Sequence, residues 1–253
     1  PQEKKDAPAV EFDGVTFTYP TGGAPALRDI SFALGHGKTL GIIGGTGSGK
    51  STLISLIPRF YDVTDGAVKV DGCDVKDFPL QTLRGKIGLV PQKALLFLGT
   101  IRDNLRWGKE NATDEELYEA LRAAQALEVV EGKPKGLDDP VETGGRNFSG
   151  GQRQRLTIAR ALVRRPELLI LDDSASALDF ATDAALRRAL RELPWHPAVV
   201  IISQRTASIR FADEILVLDD GRLAGKGTHD ELLETCEVYR EIYESQFKKE
   251  DAR

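Results

Sequence analysis

The 253-residue chain has no methionine, and it has only two cysteines and three histidines. Cys73 and Cys236 lack paired motif spacing, which argues against a disulfide framework and suits a reducing cytosol. The histidines are scattered without metal-ligand spacing, so we expect His36, His196 and His229 to be ordinary surface or packing residues.

Long apolar runs are also missing. No run approaches the roughly 18 residues of a membrane-spanning helix, and no signal peptide is visible. Because the sequence starts at Pro1 without any methionine, we expect it to be a piece of a longer chain. Hydrophobic residues make up 41% of the sequence, which supports a substantial core, and the length predicts one α/β unit with a helical insertion.

Positive charge is not in excess, because the net charge is −5, and this argues against a nucleic-acid surface. One arginine cluster stands out nevertheless. We expect it to form a solvated face or to lie near phosphates rather than to form a DNA-binding stripe. Its members are Arg153, Arg155, Arg160, Arg164 and Arg165.

Glycines, by contrast, concentrate at residues 44–51, which read GGTGSGKS, the G-x-x-x-x-G-K-S pattern of a phosphate-binding loop. An apolar strand is predicted before the loop and a helix after it. The glycines allow backbone N–H groups to surround a β-phosphate, and the helix N-terminus adds positive potential. Lys50 would reach the β- and γ-phosphates, and the Ser51 hydroxyl would bind Mg²⁺. The predicted cofactor-binding residues of this loop are Gly45, Thr46, Gly47, Ser48, Gly49, Lys50, Ser51 and Thr52.

Two further segments belong with this loop. A buried apolar strand is predicted over residues 168–171, and Asp172, which follows it, would hold the Mg²⁺ shell. Upstream, the step Ser149-Gly150-Gly151 opens a long helix and predicts a second anion-binding helix start. The loop at 44–51 already covers the phosphates of the nucleotide that it binds, so the second helix start does not easily serve the same phosphates. Two phosphate sites on one chain suggest that each completes a site on a neighbouring chain.

The order and spacing of these motifs resemble the nucleotide-binding domain of ATP-binding cassette (ABC) transporters, from about residue 9 to residue 247. The resemblance implies an α/β fold: a P-loop NTPase (RecA-like) core with a small antiparallel β-subdomain and an inserted α-helical subdomain. It implies Mg²⁺ and ATP as ligands. Tyr19 matches the aromatic that stacks on adenine, and Gln92 matches the loop glutamine that touches Mg²⁺ and the membrane domain.

The signature of the family is matched by residues 148–152, Phe-Ser-Gly-Gly-Gln, and in the family it contacts ATP held by the partner domain. The segment 176–179 matches the loop that crosses the dimer interface. The resemblance therefore assigns ATP contacts in trans to Ser149, Gly150, Gly151, Gln152 and Asp179. Residues 96–105 resemble the exporter branch of the family, in which the chain would act at the cytoplasmic face of the cell membrane.

The resemblance also predicts the domain boundaries. A transmembrane domain would lie upstream in the same full-length chain, although a separate transmembrane subunit remains open. Within this chain we predict a linker at 1–8, a nucleotide-binding domain at 9–247 and a tail at 248–253. That domain divides into a catalytic core with the β-subdomain, residues 9–92 and 166–247, and a helical signature subdomain, residues 93–165. Capping boxes are predicted at 113–116 and 228–231, and a hairpin turn at 219–221.

Two catalytic positions depart from the family. Asp173 stands where the family has the glutamate that polarises the attacking water, and its shorter side chain places the oxygens roughly 1.5 Å further back. A general base needs hydrogen-bond reach of about 2.6–3.2 Å, so this change is serious. Gln204 stands where the family has histidine; its amide can bond a phosphate oxygen but cannot titrate near neutrality. Both changes predict a weakly hydrolysing site.

The signature itself is intact apart from Phe148, where leucine is usual. This asymmetry is similar to one half of a heterodimeric exporter, with a degenerate site of its own and a signature that completes the competent site of a non-identical partner. Two alternatives come from other classes: a non-transport ABC ATPase of DNA repair or translation, and a nearly inactive ATP-binding regulatory module. The compact segment 92–149, without sustained heptads, argues against the first. The transported substrate is not specified by these residues.

Overall fold

The computed structural model describes residues 1, 2, 4 and 6–250. Residues 3 and 5 of the predicted linker, and residues 251–253 of the predicted tail, lie outside the described residues. The strands are β1 (Val10–Phe17), β2 (Leu27–Leu34), β3 (Thr39–Gly44), β4 (Asp65–Val70), β5 (Cys73–Asp74), β6 (Ile87–Val90), β7 (Gly99–Thr100), β8 (Pro140–Val141), β9 (Leu168–Asp172), β10 (Ala198–Ile202), β11 (Glu214–Asp219) and β12 (Arg222–Gly227).

The helices follow the same chain order and are α1 (Lys50–Leu56), α2 (Leu80–Lys86), α3 (Ile101–Arg106), α4 (Asp114–Ala123), α5 (Leu127–Glu131), α6 (Gly150–Leu162), α7 (Phe180–Arg191), α8 (Thr206–Ile209), α9 (His229–Thr235) and α10 (Glu237–Glu250). Short 3-10 turns lie at Val75–Asp77, Gly136–Asp138 and Thr143–Gly145. No described helix combines the length and the hydropathy needed to cross a bilayer.

Residue contacts divide the described chain into two compact units. The core unit comprises Pro1–Ile87 together with the described residues from Ala198 onward, and the inserted unit comprises Gly88–Pro197. The inserted unit therefore includes β9 and α7 and is longer than the predicted segment 93–165. The predicted subdomain boundaries remain predictions.

A four-stranded sheet in the order β2-β1-β4-β5 forms one part of the core unit. On β1 the buried side chains are Val10, Phe12, Val15 and Phe17, and the step of three in the middle coincides with a shift in register against β2. β4 begins at Asp65 and carries Gly66 as its second residue. Gly66 is required there, since a Cβ on it would lie 2.4 Å from the carbonyl oxygen of Asp13.

The other strands of the core unit follow the order β12-β11-β3-β10. β3 pairs in parallel with both β10 and β11, and β12 closes this edge as the antiparallel partner of β11. The hairpin predicted at residues 219–221 is confirmed. Residues 40–44 of β3 are all buried, as expected for a parallel strand with both faces covered. A Cβ on Gly41 would lie 2.9 Å from Cβ of Ile209, so glycine permits the close approach of α8.

In the inserted unit α6 packs against α3 and α4, and β9 lies beside β6. The capping box predicted at 113–116 is confirmed: the Thr113 hydroxyl accepts from the Glu116 N–H at 3.3 Å, and the Thr113 N–H donates to the Glu116 carboxylate at 2.9 Å. The second predicted box, Thr228 with Glu231, is formed in the core unit at the start of α9. These reciprocal bonds satisfy backbone donors that a helix start otherwise leaves unpaired.

The arginine cluster differs from its prediction as a solvated face. The Arg153 guanidinium donates to the carbonyl of Phe148 at 2.7 Å, and that of Arg155 donates to the carbonyl of Gln125 at 2.6 Å. Burial lowers the pKa of Arg160. Arginines on α6 thus bind backbone carbonyls and cover apolar surface with their stems. The two exposed members are Arg164 and Arg165.

Candidate nucleotide-binding site

The phosphate loop joins β3 to α1, as predicted, and its backbone depends on glycine. Gly49 has a φ of +107°, and a Cβ on it would lie 2.8 Å from Cδ2 of Leu27. A Cβ on Gly44 would lie 2.4 Å from the carbonyl oxygen of Leu218. Gly45 and Gly47 instead face open space, with no atom within 4 Å of a built Cβ. The loop is therefore packed tightly at its two ends and open between them, as a cradle for phosphate groups requires.

Lys50 lies over this loop. Its Nζ donates to the carbonyl oxygens of Gly44 at 2.7 Å and Gly45 at 2.9 Å. The ammonium is thus held at the open side of the loop by backbone acceptors. Phosphate oxygens are acceptors of the same kind with more negative charge, so the position fits a phosphate-binding lysine.

Tyr19 lies two residues beyond the end of β1. Its hydroxyl and the Thr52 hydroxyl are 2.6 Å apart and share a hydrogen bond. Its ring meets Phe17 at 4.8 Å and Tyr61 at 5.3 Å, both edge-on. These contacts orient the ring before any ligand binds, so one aromatic face is ready for stacking.

A cavity of about 360 Å³ connects Tyr19 to the phosphate loop. Sequence reasoning missed four of its lining residues. Gly221 donates its N–H to the carbonyl of Ser48 at 3.0 Å, and its own carbonyl accepts from Arg28 N–H at 2.8 Å. The predicted hairpin turn therefore supports the phosphate loop, and only the tertiary fold reveals that role. The missed lining residues are Pro25, Ala26, Asp220 and Gly221.

Gln204 lies in the segment between β10 and α8. The Ser203 N–H donates to the carbonyl of Ile42 at 3.3 Å, which fixes the start of this segment beside β3. Gln204 itself is exposed, and its backbone carbonyl accepts a hydrogen bond from the side chain of Gln246. The residue lies in the same unit as the phosphate loop, although it is not among the residues that line the cavity.

In the inserted unit, the ends of β6 and β9 bring together two of the predicted residues. The Gln92 amide Nε2 donates to Oδ2 of Asp173 at 3.3 Å. Beneath them the buried Ser174 hydroxyl donates to the carbonyl of Val90 at 3.0 Å. Asp173 has a φ of +48°, a left-handed conformation that is uncommon for residues other than glycine. Asp172 ends β9 and is partly buried.

The signature forms a complete capping box at the start of α6. The Ser149 hydroxyl accepts from the Gln152 N–H at 3.2 Å, and the Ser149 N–H donates to Oε1 of Gln152 at 3.0 Å. A Cβ on Gly151 would lie 3.2 Å from the carbonyl oxygen of Ala177. The loop at 176–177 therefore lies directly against the signature. A cavity of about 470 Å³ is lined by both segments and by Gln92.

Asp179 ends this loop and caps α7 by accepting from the Thr182 N–H at 2.7 Å. Hydrogen bonds from Thr182 hold the pKa of this carboxyl below its usual value. The side chain is therefore ionised and accepts hydrogen bonds at neutral pH. Among the described residues no group of three or more His, Cys, Asp and Glu side chains could hold a metal ion by itself. In the core unit the Ser51 hydroxyl is an oxygen donor of the hard type that Mg²⁺ prefers, and in the inserted unit the Asp172 carboxylate and the Gln92 amide oxygen are of the same type.

A phosphate loop between a parallel strand and a helix, with an acidic residue at the end of a second buried strand, defines a P-loop nucleoside triphosphatase. The sequence profile of a family described as "ABC transporter" matches residues 27–176. The chain belongs to the ABC transporter family. Its predicted resemblance and fold class are thereby confirmed, and it is an ATP-binding domain of that family.

Individual relatives agree with this assignment. The chain is 48% identical over 241 residues to the uncharacterised ABC transporter ATP-binding protein YfiB of Bacillus subtilis, covering 95% of this chain and 42% of that protein. It is 43% identical over 243 residues to the ATP-dependent lipid A-core flippase of Chromobacterium violaceum, covering 96% and 42%. A solved bacterial Atm1-family ABC exporter with ATP bound superposes with a TM-score of 0.89 at 36% identity, covering 97% of this chain and 44% of that one. The chain thus spans about two fifths of these relatives.

Proposed function

We propose that the chain is the ATP-binding domain of one half of a heterodimeric ABC exporter. It binds Mg-ATP at a degenerate site that hydrolyses slowly, and it supplies its signature to the competent site of a non-identical partner. The observation that carries the proposal is the contrast between the altered pair Asp173 and Gln204 and the fully formed capping box of Ser149 with Gln152.

The chain's own residues hold the nucleotide in three places. Tyr19 stacks on adenine, with its ring already fixed through Thr52. Loop residues 45–52 surround the phosphates, and Lys50 neutralises part of their charge. The side chains assigned to Mg²⁺ are Ser51 in the core unit and, in the inserted unit, Asp172 and Gln92. The ion, when bound, neutralises charge that develops on the phosphate oxygens.

Weak hydrolysis follows from two side chains. The shorter carboxylate of Asp173 is positioned further from an attacking water than glutamate would be, and Oδ2 already accepts from Gln92. Gln204 offers a neutral amide in place of an imidazole, so it can donate to the γ-phosphate without taking up a proton. ATP is therefore held at this site for longer than at the partner's site.

The signature contributes to the partner's nucleotide site rather than to this chain's own site. Because Gln152 satisfies the Ser149 N–H, the turn keeps one conformation in which the Ser149 side chain and the first N–H groups of α6 lie at the same helix end. Gly151 keeps that turn close to the loop at 176–177. Such a preformed anion site can complete a nucleotide site on another domain.

A transmembrane domain is the second partner, upstream in the same full-length chain, and the chain acts at the cytoplasmic face of the membrane. Three features support this. The relatives include a flippase and an exporter, the chain spans 42–44% of their length, and the inserted unit exposes large apolar side chains near Gln92. Leu95, Leu98 and Trp107 are 45%, 76% and 70% exposed. Exposed large apolar side chains of this kind are consistent with an interaction site.

The test compares the chain alone with an equimolar mixture containing an ABC chain that carries glutamate and histidine at the positions equivalent to Asp173 and Gln204. We expect slow ATP turnover by this chain alone and turnover at least about 10-fold faster in the mixture, because only the partner's site has both catalytic groups. Rapid turnover by this chain alone that Asp173→Asn abolishes would contradict the proposal.

A further inference from the structure

The last described helix reaches back to the segment that carries Gln204. Gln246, on α10, makes three hydrogen bonds there. Its Oε1 accepts from the Thr206 N–H at 2.9 Å and from the Thr206 hydroxyl at 2.9 Å, and its Nε2 donates to the Gln204 carbonyl. One partly buried amide thus binds the backbone on both sides of Arg205.

This contact replaces a missing helix cap. α8 is only four residues long, and the side chain of Arg205, at its N-cap position, makes no capping hydrogen bond. A helix this short has little stability of its own. Because Gln246 accepts from the Thr206 N–H, it satisfies an N–H group that α8 leaves without an intrahelical partner.

The helix that presents Gln246 is firmly seated. Tyr239 of α10 is fully buried, and its hydroxyl lies 2.6 Å from Nδ1 of His229 on α9. Tyr243 meets the same imidazole ring at 5.2 Å. Tyr239, Tyr243 and Gln246 are spaced four and three residues apart, so they lie on one face of α10. Gln246 is therefore presented by a fixed helix rather than by a mobile tail.

We infer that Gln246 is a positioning residue that sets where Gln204 meets the γ-phosphate. The segment is fixed at one end by the bond from Ser203 N–H to Ile42 and at the other by Gln246. Without Gln246, the backbone around Gln204 loses one of these two anchors, while the local bond from the Arg205 N–H to the Ser203 hydroxyl at 3.0 Å remains. The inference rests on the proposed function, in which Gln204 contacts the γ-phosphate of ATP.

The experiment uses the 253-residue chain and compares equilibrium binding of Mg-ATP with binding of Mg-ADP, which lacks the γ-phosphate. For Gln246→Ala we expect ATP affinity to fall about 5- to 10-fold, the effect of one or two lost hydrogen bonds, while ADP affinity changes less than about 2-fold. Gln204→Ala should show the same selectivity. The double variant should be no weaker for ATP than Gln204→Ala alone, because both act through one contact.

Three further variants keep the test interpretable. Gln246→Glu keeps an acceptor for Thr206 but sets an acceptor-only carboxylate oxygen against the Gln204 carbonyl, so we expect a selective loss of ATP affinity at least as large as with alanine. Thr206→Val removes only the hydroxyl bond and should give the smallest selective loss. Ser245→Ala, an exposed neighbour whose hydroxyl bonds within α10, should leave both affinities unchanged. Thermal unfolding of each variant identifies any that fails to fold.

The outcomes distinguish the positioning role of Gln246 from the proposed γ-phosphate contact of Gln204. An equal loss of ATP and ADP affinity in Gln246→Ala would mean a structural role only and would overturn the inference. If Gln204→Ala changes the ATP-to-ADP ratio but Gln246→Ala does not, the inference fails while the assigned contact of Gln204 stands. If Gln204→Ala leaves the ratio unchanged, the proposed γ-phosphate contact fails and the inference fails with it.

Discussion

The signature turn and the end of β9 lie in the same unit, yet they differ in how their polar groups are used. At the signature, Ser149 and Gln152 bond each other in both directions, so each donor has its acceptor. At the end of β9, Asp173 has an uncommon backbone conformation and receives the amide of Gln92 at 3.3 Å. The first arrangement is closed by two reciprocal bonds, whereas the second turns a carboxylate toward its own neighbour.

Under the proposed function, donating to a site and catalysing at one are separable properties of a single chain. A capping box is local, since it needs only residues three apart and survives changes elsewhere. A general base must instead be placed to within fractions of an ångström of a water, so the loss of one methylene suffices to weaken it. The proposed function therefore pairs a locally formed signature with a weakened hydrolytic site in one fold.

The largest effect should come from a substitution that displaces the signature turn. Gly151→Val places a branched side chain where even a Cβ lies 3.2 Å from the Ala177 carbonyl, so the turn must move. In the mixture with a competent partner chain we expect ATP turnover to fall about 100-fold or more, because the transition state loses preorganised donors. ATP binding by this chain alone should persist, which nucleotide titration measures.

Gly150→Ala provides the graded comparison for that change. The atoms nearest to a Cβ on Gly150 lie 3.8 Å and 3.9 Å away, so alanine fits without displacing the turn. We expect it to reduce turnover of the mixture far less than Gly151→Val does. Equal losses from the two substitutions would contradict the steric argument and would weaken the assigned role of the signature in trans.

The second-largest effect should come from restoring the two altered catalytic side chains. Asp173→Glu with Gln204→His restores both catalytic groups, and we expect turnover by this chain at its own site to rise about 10- to 100-fold. Single-turnover hydrolysis of radiolabelled ATP measures it, with Asp173→Asn as the control that keeps size but removes the base. No gain in the double variant would mean that the site is weak for a reason other than these two side chains.

Much of this site was predictable because its signals are local. The loop at 44–51, the capping boxes at 113–116 and 228–231, and the signature each depend on residues within a few positions of one another, and the structure forms all of them. The strand predicted at 168–171 agrees with the structure to within one residue, since β9 spans Leu168–Asp172. Short apolar runs bounded by turn residues are consistent with buried strands of a parallel sheet.

Long-range contacts were not predictable. Gly221 supports the phosphate loop through the Ser48 carbonyl, and Gln246 binds the segment of Gln204, but neither residue has a local pattern that indicates a distant partner. The arginines of α6 illustrate the same limit, because their charge suggested solvent whereas backbone carbonyls elsewhere in the unit accept their hydrogen bonds. Whether such an arginine reaches solvent or a backbone carbonyl depends on its side-chain length and on the tertiary structure around it.

The smallest effect should come from Thr52→Val, which tests nucleotide binding separately from hydrolysis. Thr52→Val removes the hydroxyl bonded to Tyr19 while the aromatic ring and its contacts with Phe17 and Tyr61 remain. We expect ATP and ADP affinities of this chain to fall together by about 2- to 10-fold, because the ring loses one hydrogen bond that orients it for adenine.

Tyr19→Phe removes the same bond from the other side and is the matched variant for Thr52→Val. The two should weaken binding to a similar degree, and the double variant should be no weaker than either, since one shared bond is lost in all three. Maximal turnover of the mixture at saturating ATP should stay unchanged, because the Tyr19 hydroxyl takes no part in the chemistry. A fall in maximal turnover would mean that the Tyr19 hydroxyl does more than orient the ring for nucleotide binding at this chain's own site.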